Sequence, residues 1–253
     1  MARIISIINQ KGGTGKTTTA MNLGVYLAAF GKKTLLVDLD SQGNATSGLG
    51  VDTRIVAEDI YSVVINEVSP FLAIHNTNLR GFDILPASRD LAGAEVELIN
   101  VSEREFRLKK VFEKIKSEYD FILIDSPPSL GLLTINSLCA ADELLIPMQC
   151  EYYALEGLSQ LFSTIDLVRE NLGANPKILG AVLTMFDRKS RLSRAVSKEI
   201  KNNFPGYVFE AMIPRNISLA EAPSFGKSIF RYDPYSHGAK AYRQLAEEVI
   251  KMV

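Results

Sequence analysis

Residues 3–18 read RIISIINQKGGTGKTT. The opening RIISII is β-branched and almost wholly apolar, the pattern of a short strand buried on both faces. Lys11-Gly12-Gly13-Thr14-Gly15-Lys16-Thr17-Thr18 follows, and residues 17–30 carry a helical pattern that Gly31 closes where a left-handed C-cap belongs. A glycine-rich loop between strand and helix is the setting of a phosphate-binding loop. Glycines let backbone N–H groups turn inward onto phosphate oxygens, and the helix N-terminus adds its partial positive charge. At this spacing Lys16 reaches the β- and γ-phosphates and Thr17 offers a hydroxyl to Mg²⁺. The stretch implies a nucleoside-triphosphate site.

The rest of the chain repeats the strand–helix alternation. Strands are expected at 34–37, 82–85, 121–124, 144–147, 178–183 and 207–213, and helices near 132–140, 154–171, 194–203 and 237–252. Ser102-Glu103-Arg104-Glu105 reads as a capping box before a charged helix reaching about residue 119. A loop rich in Gly, Ser, Asn and Thr spans 41–50. Such alternation implies an α/β fold with a mainly parallel twisted sheet covered by helices on both faces, and the phosphate-binding loop makes it a P-loop NTPase fold. With no repeat or linker-like tract, the expectation is one domain over residues 1–253.

Composition narrows the function. The 253 residues hold 28 Lys+Arg against 29 Asp+Glu, a formal charge of −1, so any nucleic-acid binding must come from a local patch and not from the field of the whole molecule. Two cysteines, Cys139 and Cys150, and two histidines, His75 and His237, have no metal-ligand spacing and give no disulfide framework. No signal-peptide pattern and no apolar run long enough for a membrane span is read, so a cytoplasmic protein is expected.

Carboxylates end two of the expected strands. Asp38 and Asp40 close the second, and Asp125 closes residues 121–124, ahead of Ser-Pro-Pro. In a parallel sheet these carboxyl ends line the crevice where ligands bind. One carboxylate can orient an attacking water and another can hold Mg²⁺ through its water shell. Acidic residues at strand ends also serve as turn formers, and for Asp38 that reading stays open.

The loop departs from the general pattern: Gln10 stands where a glycine is usual, and Lys11 adds a second lysine. In this it resembles the deviant Walker-A ATPases. Residues 38–50 (DLDSQGNATSGLG), 125–136 (DSPPSLGLLTIN), 149–160 (QCEYYALEGLSQ) and 213–226 (IPRNISLAEAPSFG) extend the likeness, from about residue 2 to the end of the chain, to the chromosomal ParA/Soj partitioning ATPases. The resemblance implies an ATP- and Mg²⁺-dependent homodimer that binds double-stranded DNA non-specifically and is stimulated by a ParB/Spo0J-type partner. It implies a nucleoid-associated location, a role in segregating chromosomes or plasmids and, in some bacteria, an influence on replication initiation.

Position by position, the resemblance makes Lys11 the signature lysine that reaches the partner's nucleotide, Lys16 the loop lysine and Thr17 the Mg²⁺ hydroxyl. Asp40 becomes the carboxylate needed for hydrolysis and Asp125 the Walker-B aspartate, which gives Lys11, Lys16, Asp40 and Asp125 as catalytic candidates and Thr17, Asp40 and Asp125 as metal candidates. The nucleotide candidates are Lys11, Gly12, Gly13, Thr14, Gly15, Lys16, Thr17 and Thr18, with Pro214 and Asn216 at the base. Ser41 and Ser126 depart from the family's usual residues without removing a charge or a donor. A second cation near the scissile phosphate makes physical sense because charge develops there, although Lys11 also reads as a solvated loop lysine.

For DNA the candidates are Arg188, Lys189, Arg191, Arg194, Lys198 and Lys201. The last four recur at i, i+3, i+7 and i+10, one face of a helix. Two such faces in a dimer would track phosphates with salt-sensitive affinity and no sequence preference. A solvated helix face is the plain alternative. Glu151 is a candidate to face the partner, and the pair Tyr152-Tyr153 reads as interface or core. Other users of this loop chemistry fit less well. A MinD-type membrane-positioning ATPase calls for a basic amphipathic C-terminal helix, and an iron–sulfur reductase for two ligand cysteines in other contexts. A metabolic P-loop ligase or kinase calls for a second substrate pocket.

Overall fold

Ile4 and Ile5 point to opposite faces of a sheet, and both are buried. In the computed structural model, which describes residues 2–151 and 156–252 (156 and 157 by backbone alone), this two-sided burial runs through the centre of the chain. Among the described residues one sheet holds β1 (Arg3–Ile7), β2 (Thr34–Asp38), β3 (His75–Asn76), β4 (Phe82–Leu85), β5 (Phe121–Asp125), β6 (Glu143–Gln149), β7 (Lys177–Phe186) and β8 (Val208–Pro214). The order is β3-β4-β2-β5-β1-β6-β7-β8. Only β3 runs antiparallel, against β4.

The helices that frame the site are α1 (Lys16–Ala29), α2 (Asn44–Gly48), α3 (Arg107–Ile115), α4 (Leu132–Ala140), α5 (Glu156–Leu172), α6 (Arg191–Asn203), α7 (Ile217–Glu221) and α8 (His237–Lys251). Ile5, Ile7, Leu36 and Leu123 pack with Leu23 and Leu27 of α1 and Tyr242 of α8. Leu35, Val37, Ile122 and Ile124 pack on the other face with Leu108 and Phe112 of α3. Ile146 and Leu183 are covered by Leu161 of α5 and Ile200 of α6. Each such side chain contributes roughly 1.5–3 kcal/mol of burial.

From β1 the chain crosses to β2 on one side, and from β5 it crosses to β6 on the other. The reversal leaves a crevice at the carboxyl end of β1, between β5 and β6. The glycine-rich loop lies there.

The expected strands are present with their ends moved by up to three residues, and Gly31 has the left-handed φ of 80° expected of it. Two local readings are corrected. The capping box does not form. Glu103 is itself left-handed (φ 52°), its carboxylate pairs with Lys110 at 2.6 Å, and Glu105 is taken by Arg104 at 2.9 Å. Asn136, buried on α4, does the capping instead, accepting from the Leu108 N–H and donating to the Arg104 carbonyl. A tertiary partner thus displaces the local one, and the helix ends at Ile115 and not near residue 119. The antiparallel β3 was also not expected, because two residues carry no readable alternation.

Gly24 lets α1 approach the sheet. A Cβ there would lie 2.5 Å from Cε2 of Phe82. Gly24→Ala is expected to be destabilising, because overpacking costs about 1–3 kcal/mol and the gain in helix propensity is about 0.8–1.0 kcal/mol. Urea unfolding measures it, and an unchanged or raised midpoint would mean that α1 stands further from β4 than described.

Candidate functional site

The loop after β1 is held from behind by its neighbours' side chains. Gln149, at the end of β6, donates to the Gly13 carbonyl at 2.7 Å, and Thr184 of β7 donates to the Thr14 carbonyl at 2.8 Å. Asn9 donates to the Pro147 carbonyl at 2.8 Å and accepts from the Lys11 N–H at 3.0 Å. Gly13 and Gly15 take φ values of 74° and 87°, which glycine adopts without strain. Gly15 caps α1, and among the described residues no side-chain hydrogen bond caps that helix. Those donors and the helix dipole form a ready anion site.

Around it lie one buried lysine and three carboxylates. Lys16 is buried, its Nζ is 3.4 Å from the Lys11 carbonyl, and burial lowers its pKa against the pull of Asp125 and Asp40. Asp125 is buried, and among the described residues neither carboxylate oxygen accepts a close hydrogen bond. Burial, then the neighbouring Asp38, raises its pKa well above the usual carboxylate range, while the Thr17 hydroxyl and Lys16 beside it pull the other way. Asp38 stands opposite Asp125 in the β2–β5 register. Its carboxyl is pushed up to about 6, chiefly by burial, although Thr46 and Asp40 donate to it. Asp40 is half-buried and accepts from the Gln42 N–H at 3.0 Å.

Thr17 beside a buried, unpartnered carboxylate fits a hydrated Mg²⁺. Among the described residues no group of three or more His, Cys, Asp or Glu forms a cage. An ion here would therefore depend on Thr17, water and a ligand's own oxygens.

Beside the loop, a cavity of about 220 Å³ is lined by Gly15, Thr18, Pro214, Asn216 and Tyr242. Asn216 caps α7 through its side-chain oxygen, which accepts from the Leu219 N–H at 3.0 Å. The predicted phosphate and base residues thus meet around one crevice. Sequence reasoning missed Asn9, Gln149, Thr184 and Thr46. Polar residues within two positions of the ends of buried parallel strands, at 9, 149 and 184, are the signal that finds three of them.

Lys11 pairs with Glu151 of the same chain at 2.8 Å, both side chains about half exposed. Tyr152 and Tyr153 lie outside the described residues. On α6 and the turn before it, Arg188, Lys189, Arg191, Arg194 and Lys198 are exposed. Lys201 is exposed too, but Glu210 binds it at 3.1 Å and offsets its charge, which weakens its standing among the six. No acidic residue occupies the first turn of α6, where Arg191 and Arg194 stand against the helix dipole. Among the described residues no helix is long and apolar enough to cross a membrane.

Comparison with known proteins agrees with this geometry. The family described as "AAA domain" matches residues 2–179. The sporulation initiation inhibitor protein Soj of Bacillus subtilis is 51% identical over 249 residues, covering 98% of each chain. The chromosome partitioning protein ParA of Myxococcus xanthus is 51% identical, covering 99% of this chain and 89% of its own. Among solved structures, cobyrinic acid a,c-diamide synthase from Mycobacterium smegmatis, with bound ADP and magnesium, is 36% identical with a TM-score of 0.87, covering 99% of this chain and 95% of that one.

The buried carboxylates make stability depend on pH. A carboxyl raised by folding costs nothing below its unfolded value near 3.8, and the cost grows as pH rises through the folded value. Asp125→Asn removes that cost. At about pH 7.5 the nucleotide-free variant is expected to be more stable than the parent, with the gain fading toward about pH 4. Urea unfolding at both pH values checks this, and a pH-independent difference would contradict it.

Proposed function

The chain belongs to the ParA/Soj family of chromosome-partitioning proteins, and on that premise we propose that it is an ATP-driven switch. ATP and Mg²⁺ bring two copies face to face, and the dimer binds double-stranded DNA without sequence preference. Hydrolysis of ATP to ADP and phosphate, stimulated by a ParB/Spo0J-type partner, resets it. Residues 1–253 act as one ATPase domain, at work on the nucleoid. The observation that carries the reading is Asp125, buried without a close hydrogen bond among the described residues, beside Thr17 and Lys16 at the uncapped end of α1. Mg²⁺-nucleotide relieves each of these unmet demands.

In this reading the phosphates sit against the first N–H groups of α1, with Lys16 on the β- and γ-phosphates. Mg²⁺ would be held by Thr17 directly and by Asp125 and Asp40 through water, and would neutralise charge between those phosphates. Asp40, half exposed, orients the attacking water in line with the bond that breaks. The base occupies the cavity by Pro214, and Asn216, whose oxygen is used in the cap, keeps its amide N–H₂ for it. Lys11 leaves Glu151 to reach the partner's γ-phosphate. An exposed ion pair of this kind is worth about 0–1 kcal/mol, so exchanging it costs little.

DNA binding is assigned to α6 and the turn before it. Arginines at a helix N-terminus oppose the dipole by roughly 0.3–1 kcal/mol each, and a phosphate removes that conflict by accepting from both. The synthase among the solved structures bears on the metabolic alternative. It is 36% identical, whereas the partitioning relatives reach 51%, which supports the partitioning role.

Three variants test the proposal. Lys16→Ala is expected to lose nucleotide binding. Asp40→Ala is expected to bind ATP, lose hydrolysis by about a hundredfold or more, and accumulate as a dimer on sizing. Normal hydrolysis by Asp40→Ala would contradict the catalytic assignment. Arg191→Glu with Arg194→Glu is expected to weaken DNA binding and its salt dependence while leaving ATP-dependent dimerisation intact, and unchanged DNA affinity would remove α6 from the interface.

A further inference from the structure

A carboxylate that must face water cannot be packed in place by its own contacts. Asp40 is such a group, half exposed and, among the described residues, hydrogen-bonded through its side chain only to the nearby Gln42 N–H. Its backbone has a hold of its own. The Asp40 N–H donates to Oδ1 of Asp38 at 3.3 Å. Oδ2 of the same carboxylate accepts both the Thr46 N–H at 2.8 Å and the Thr46 hydroxyl at 2.7 Å. The Thr46 hydroxyl also accepts the Ala87 N–H at 3.0 Å, just beyond the end of β4. Asp38 and Thr46 are both fully buried.

One carboxylate therefore closes the loop that carries Asp40, gripping it at residues 40 and 46, while the Thr46 hydroxyl fastens it to the sheet. The loop is also tightly seated at Gly43, where a Cβ would meet the Ala87 carbonyl oxygen at 3.3 Å. Keeping a second carboxylate out of water next to Asp125 is costly, and a neutral side chain would close a merely structural loop more cheaply. Hydrogen bonds to an ionised acceptor are about twice as strong as neutral ones, so the charge gives rigidity.

We propose that Asp38 and Thr46 are positioning residues that hold Asp40 in register with the γ-phosphate, acting on hydrolysis and not on nucleotide binding. The inference rests on the reading of Asp40 given above and adds to it the device that aims it. In this reading neither residue touches the nucleotide. The effect belongs in the chemical step, because a displacement of an ångström at the reacting group costs on the order of a hundredfold in rate.

The test compares Thr46→Val, which keeps the shape and deletes both hydroxyl bonds, with Thr46→Ser, which keeps the hydroxyl. Single-turnover ATP hydrolysis and equilibrium binding of a fluorescent ATP analogue with Mg²⁺ are measured on the full chain, with Asp40→Ala alongside. Thr46→Val is expected to slow hydrolysis by about tenfold to a hundredfold with affinity within about twofold of the parent, and Thr46→Ser to restore the rate. Should Thr46→Val fail to fold, Asp38→Asn, which keeps the size and removes the charge, is read in the same way. Parent-like hydrolysis by Thr46→Val while Asp40→Ala is inactive would overturn the clamp alone. Equal losses of binding and rate, or a Thr46→Ser as slow as Thr46→Val, would overturn it too. Normal hydrolysis by Asp40→Ala would remove the catalytic reading and the clamp with it.

Discussion

Asp38 and Asp125 end neighbouring strands in register, and both are removed from water. Two carboxylates so placed repel one another and lose their hydration, and the one buried lysine nearby does not balance them together with Asp40. The arrangement weakens the empty fold. It persists because the apolar sheet around it is deep enough to carry the cost, with Ile122, Leu123 and Ile124 buried on β5 and Leu35, Leu36 and Val37 on β2. Parallel pairing brings these strand ends to one edge of the sheet. The uncapped N-terminus of α1 then gathers donors where the carboxylates gather charge. A site with both demands unmet is completed by a metal and phosphates together, which is why nucleotide binding and the electrostatics of the fold are one problem here.

The same edge of the sheet carries the basic helix. Thr184 holds the Thr14 carbonyl of the loop, and three residues later the Asp187 N–H donates to Ser193 in the first turn of α6. Between them Met185 takes a left-handed φ of 51°, an unusual conformation for a side chain of its size. One short stretch of β7 and its following turn thus touches the loop at one end and anchors the basic helix at the other.

Much of this was legible from residue pattern. Buried parallel strands announce themselves as apolar runs, and a glycine-rich loop between strand and helix has few other uses, so the sheet and the residues from Lys11 to Thr18 follow from the sequence. Reading failed where distant partners decide. Asn136 displaced the capping box at Ser102 because its amide arrives from another helix. Asp38 looked much like Asp40 in the chain, two residues away, yet one lies sealed against Thr46 and the other is half exposed.

The most direct test of the account is retention of the protein on unrelated double-stranded DNA with Mg²⁺-ATP, with Mg²⁺-ADP and with no nucleotide, each at two salt concentrations. The account predicts retention with ATP alone, lost at the higher salt as released counterions cease to favour binding. Equal retention in all three states would contradict a nucleotide-gated switch. ATP binding with no DNA retained in any state would contradict the partitioning function itself.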